Sequence, residues 1–104
     1  MKITQKQLDE MIRDHELWVA RGARIGGGEE ENAIRLIGHD LSGLDFRKAN
    51  LRYATLRNCD LTRCNFVGVT LEKADLSCSD LTGAFMFDSY LAGACLDGTI
   101  PKNL

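Results

Sequence analysis

The sequence predicts an all-β solenoid of about three coils, preceded by one amphipathic α-helix. Three observations predict it. First, every fifth residue from Leu41 to Leu96 is bulky and apolar: Leu41, Phe46, Leu51, Leu56, Leu61, Phe66, Leu71, Leu76, Leu81, Met86, Leu91 and Leu96. Second, the departures from leucine in that series, Phe46, Phe66 and Met86, recur at 20 residues, as do Ala54, Ala74 and Ala94, and Asp40, Asp60 and Asp80. Third, residues 4–21 carry apolar residues at helical spacing.

A period of five fits neither regular element. Five helical residues turn through about 500°, which smears the series around the helix. Five strand residues end on the opposite face. The chain therefore bends between successive hits, with a short extended segment and a corner in each repeat.

The helix comes first. Thr4 and Gln7 have capping-box spacing. Leu8, Met11, Ile12, His15, Trp18 and Val19 form one stripe, and Gly22 suits the position just past the helix. Gly26, Gly27 and Gly28 followed by Glu29, Glu30 and Glu31 read as a mobile loop. The division is thus a capping helix and loop over 1–33 and a repeat domain over 34–104. Ile34, Leu36 and Ile37 lead into the first coil. The open end of a solenoid exposes core side chains and strand edges. The stripe of Leu8, Met11, Ile12, Trp18 and Val19 is expected to close that end, or to reach across to a second copy.

Within the repeats, the residue two before each ladder position is mostly small, and the residue just before it is often Asp, Asn or Thr. Leu44 and Val69 are oversized for their small positions and are expected to swell the tube. His39 is expected to be partly exposed and structural. In the last coil Phe85, Phe87 and Tyr90 stand at outward positions, three of the chain's seven aromatics. They are the strongest interaction signal in the sequence. The tail beyond Pro101 offers Leu104 as a residue that could fold over that end.

The unit A-(D/N)-L-x-x, as in Ala49-Asn50-Leu51 and Ala74-Asp75-Leu76, resembles the pentapeptide-repeat family over about residues 39–99. The resemblance implies a right-handed quadrilateral β-helix with four repeats per coil. It also implies that the ladder residue and the small residue point inward.

Charge and chemistry narrow the function. Net charge is −2, and the repeat region from Ala33 onward carries eight basic and eight acidic residues. The first coil is +2, the second −1 and the third −2, counted from Arg47, Lys48, Arg52, Arg57, Arg63, Lys73 and the intervening acids. Nucleic acid is not expected as a partner. No apolar run reaches the length of a membrane span, and Met1–Thr4 lacks a signal-peptide pattern, so a cytoplasmic location is expected. The four cysteines then read as free thiols, with Cys59 and Cys64 inward and Cys78 and Cys95 outward. No histidine accompanies them at zinc-site spacing. The Asp40, Asp60 and Asp80 column is expected to stabilise turns through backbone hydrogen bonds. No nucleophile, base and oxyanion site assembles, and no cofactor or metal is expected.

The expected function is accordingly a non-enzymatic interaction or scaffold module that self-associates as a homodimer through its C-terminal coil. Two alternatives stand beside it. The resemblance implies a DNA mimic that binds DNA gyrase or another nucleic-acid enzyme, although such mimicry calls for a longer and more acidic tube. The other alternative is an effector accessory domain in which the repeats act as a spacer.

Overall fold

The computed structural model of the protein describes residues 1–23 and 32–101. The Gly26–Gly28 and Glu29–Glu31 loop and Leu104 lie outside the described residues. One helix, α1 (Gln5–Ala20), precedes a right-handed quadrilateral β-helix. Among the described residues two segments pair over more than a single bridge, β1 (Arg35–Ile37) and β2 (Thr55–Arg57). They pair in parallel with Leu36 opposite Leu56. Elsewhere each side of the square is a single parallel bridge, because the corner arrives before a longer strand can form.

The bridges all join residues 20 apart within the tube. One side stacks Asp40, Asp60, Asp80 and Ile100; the next stacks Asp45, Asn65 and Phe85. The third stacks Asn50, Thr70 and Tyr90, and the fourth Thr55, Asp75 and Cys95. The ladder lies inside. Leu41, Leu51, Leu56, Leu61, Phe66, Leu71 and Leu76 have no accessible surface. Burial of each such side chain is worth about 1.5–3 kcal/mol. Phe46 and Phe66 stack with ring centroids 4.6 Å apart and planes 17° apart. Leu36 is a thirteenth rung below Leu41–Leu96, buried and stacked beneath Leu56.

Leu44 and Val69 are buried at their small positions. The adjoining ladder bonds, Asn65 N–H to Leu44 O at 3.0 Å and Tyr90 N–H to Val69 O at 2.9 Å, keep ordinary lengths. The expected swelling does not open the hydrogen-bond ladder there. His39 is half-buried.

The corners explain the fifth residue of each repeat. Gly43, Gly68, Gly83, Gly93 and Gly98 all have φ between 69° and 74°, a region that glycine enters freely. Lys48, Tyr53, Asn58, Arg63, Lys73, Cys78 and Asp88 occupy the same corner position at positive φ. Where the residue before the ladder position is Asp or Asn, its side chain completes the turn by accepting from the N–H two residues on. Asp40 Oδ1 accepts from the Ser42 N–H and hydroxyl at 2.9 and 2.7 Å, and Asp60 and Asp80 do the same with Thr62 and Thr82. Hydrogen bonds to the Ser42 and Thr82 side chains, then their backbones, hold the Asp40 and Asp80 carboxyls below the usual carboxylate range.

Candidate interaction surfaces at the two ends of the tube

The N-terminal edge of the first coil presents one backbone N–H on each of its four sides, and each has a partner. The Asp40 N–H donates to Met1 O at 2.9 Å, and Thr55 N–H donates to Ile34 O at 2.9 Å. Asp45 N–H donates to the Gln5 side-chain oxygen at 2.8 Å, and Asn50 N–H donates to the Glu16 carboxylate at 2.9 Å. Several edge carbonyls are met in the same way. Ile3 N–H and the Lys2 ammonium donate to Asp40 O and Ser42 O, and the Gln5 side-chain amide donates to Asp45 O at 2.8 Å. Gln5 thus imitates a peptide group of a neighbouring strand.

Two elements make this possible. Residues 1–3 run as an added strand: Lys2 bridges to Asp40, and Ile3 is buried in the core. A capping box of Thr4 and Gln7 then turns the chain into α1. The helix lays Leu8 into the core, with Met11 and Ile12 half-buried against it. Trp18 is 2% exposed and meets His15 and Tyr53 instead, with ring centroids 5.4 and 6.3 Å away. Val19 is half-buried. His15 has no accessible surface, and both ring nitrogens are engaged. Its Nδ1 accepts from Ile34 N–H at 2.9 Å, so the proton sits on Nε2, which donates to Arg52 O at 2.8 Å.

The third coil is built differently. Ile100 closes one side, accepting from Leu81 N–H at 2.6 Å. On the other three sides the N–H groups of Met86, Asp88, Leu91, Gly93, Leu96 and Gly98 have no hydrogen bond among the described residues. Met86, Leu91 and Leu96 are only half-buried, unlike the rungs below them. Outside, Phe85 is 61%, Phe87 74% and Tyr90 62% exposed. Phe85 stands above Asn65 and Tyr90 above Thr70, where the coil below is polar.

Chemistry between the ends is sparse. An open groove of about 630 Å³ runs between α1 and the second side. Asp9, Glu16 and Asp45 line it together with Arg47 and Lys48, and its lining holds no histidine, cysteine or hydroxyl. Cys59 and Cys64 are buried, and desolvation pushes the Cys64 thiol up to about 11. Cys78 and Cys95 are exposed. Among the described residues no group of three or more His, Cys, Asp or Glu could hold a metal ion, and no helix is long and apolar enough to cross a membrane. Arg52 reaches Glu72 one coil away at 4.0 Å, with both side chains substantially exposed.

The edge-capping roles of Gln5, His15 and Glu16 were not evident from the sequence. His15 falls on the apolar stripe, but nothing in its spacing shows that both nitrogens meet backbone. Gln5 and Glu16 read as ordinary polar helix positions. The corner glycines did leave a signal, since Gly43, Gly68, Gly83, Gly93 and Gly98 share one place in the five-residue frame.

The family profile for pentapeptide repeats matches residues 33–63 and 64–100 in eight copies. The chain belongs to the pentapeptide-repeat family. Two solved members of the family are similar to it. A pentapeptide-repeat protein of the cyanobacterium Cyanothece is 36% identical over 66% of this chain and 47% of its own, with a TM-score of 0.62. A pentapeptide-repeat protein from the Arabidopsis thaliana thylakoid lumen is 30% identical over 60% of this chain and 43% of its own, with a TM-score of 0.57. This pentapeptide-repeat chain therefore spans less than half the length of either relative. No curated protein matches the sequence. The family's tube is a non-catalytic scaffold, and this chain shares that architecture.

Proposed function

We propose that the protein is an interaction module that pairs with a second copy of itself through the third coil. The observation that carries this reading is the exposure of Phe85, Phe87 and Tyr90 on a coil whose own rungs are half-buried. An aromatic patch with polar surroundings is the usual composition of a protein contact. A two-fold contact brings the same patch from both copies together and buries it twice for one set of side chains. Gyrase binding by DNA mimicry has less support, because the repeat region is neutral and its first coil is +2.

Light scattering tests the reading. Wild-type protein is expected at twice the chain's 11.6 kDa. The double substitution Phe85→Asp/Phe87→Asp is expected to return it to one chain, with the circular dichroism of the coil unchanged. A wild type that stays at one chain mass up to millimolar concentration would overturn self-association.

A further inference from the structure

The cap rests on a group that can hold its place in only one protonation state. His15 bridges three parts of the fold: its own helix, the backbone at Ile34 below β1, and the backbone at Arg52 on the third side. Both contacts are to fixed backbone atoms, and the ring is wholly enclosed. One nitrogen must accept and the other must donate. A second proton would place an N–H at Nδ1 against the Ile34 N–H, 2.9 Å away, and would add a charge with no water to solvate it.

We infer that His15 is a proton-sensitive latch: protonating its ring releases α1 from the first coil while the coils themselves stay folded. The surroundings supply little to hold the charged form. On its own helix Glu16 is the nearby acid, and its carboxylate is already engaged by the Asn50 N–H. On the third side Arg52 brings a further positive charge, directed toward Glu72, and Tyr53 packs against Trp18 rather than offering an acceptor. On β1 the neighbouring Arg35 is exposed and also basic.

The sign follows from burial. Desolvation lowers the His15 pKa below its ordinary 6.5, against smaller raising effects from the Arg52 carbonyl and Glu16. The detached helix, with a free imidazole, binds the proton more readily than the docked one. The latch is fully closed above pH 6.5 and weakens as pH falls below that value toward the docked-state pKa. Carboxylates of ordinary pKa titrate about two units lower, which separates their effects from this one.

Release would uncover Leu8 and Trp18 and leave the Asp45 and Asn50 N–H groups bare. Trp18 is the chain's sole tryptophan, and its ring lies 5.4 Å from His15, so it reports directly. The experiment is amide hydrogen exchange by NMR together with Trp18 emission, on the full chain at about pH 7.5 and about pH 5. After correction for intrinsic exchange, the amides of α1 are expected to open about tenfold or more at the lower pH, with Trp18 emission moving to longer wavelength. Leu61, Leu71 and Leu76 amides are expected to keep their protection. In His15→Gln, α1 exchange is expected to be the same at both pH values, whether the cap is weakened or retained. Unchanged α1 protection in the wild type would overturn the latch. So would loss of coil protection together with the helix, or an undiminished pH response in His15→Gln.

Discussion

The first and third coils share the five-residue repeat, its positive-φ corners and an apolar rung on every side, yet they meet their surroundings in opposite ways. At the first coil every side of the strand edge finds a donor or acceptor, supplied by residues 1–3, by Gln5, His15 and Glu16, and by the lead-in to β1. At the third coil only one side is closed among the described residues, and aromatic side chains take the outer positions held by Asn and Thr below. A solenoid interior depends on neighbours above and below rather than on a central core. What differs between the ends is therefore not the repeat but what lies against its edge. The closed end is part of the fold, and the third coil is the surface we propose for a second copy.

The largest effect should come from comparing rungs. Leu56→Ala, in a fully enclosed position between Leu36 and Leu76, is expected to cost about 2–5 kcal/mol in urea denaturation. Leu96→Ala, half-buried in the third coil, is expected to cost less than half of that. Equal losses would mean that the third coil is as enclosed as the second. Next in size is the cap. Gln5→Ala removes both side-chain bonds to Asp45 and is expected to cost about 1–3 kcal/mol, since those backbone groups sit beneath the helix. Gly98→Ala should cost about 1 kcal/mol, because the corner has φ of 71° and a Cβ would stand 3.2 Å from Cys78 Sγ. Smallest is Phe87→Asp, expected to change the stability of a single chain by no more than about 0.5 kcal/mol. A larger loss in the monomer would show that Phe87 is packed within its own coil.

The repeat was legible because the tube admits only one large side chain per side, and that steric demand is written at every fifth position. The turn role of Asp40, Asp60 and Asp80 was legible for a similar reason: an Asp placed two residues before a Ser or Thr has a local partner whatever the rest of the fold does. The helix and its start were visible in Thr4, Gln7 and the apolar stripe. Residues 1–3 gave no comparable signal. Lys2 and Ile3 are too few to show a period, and only the bridge to Asp40 makes them a strand. Leu36 fits the five-residue frame but follows an irregular stretch, so the sequence pattern alone starts the ladder at Leu41. The capping contacts of Gln5, His15 and Glu16 depend on where a helix lands on a coil edge some 35–40 residues away, which no local pattern records.

The contrast between the ends is tested most directly by residue-resolved amide exchange on dilute protein at neutral pH. The Asp45 and Asn50 amides are expected to be protected, because side chains of α1 accept from them. The Leu91, Gly93, Leu96 and Gly98 amides are expected to exchange freely when dilute and to slow as concentration rises and a second copy covers the third coil. Equal protection of both sets in dilute solution, with no dependence on concentration, would contradict the account.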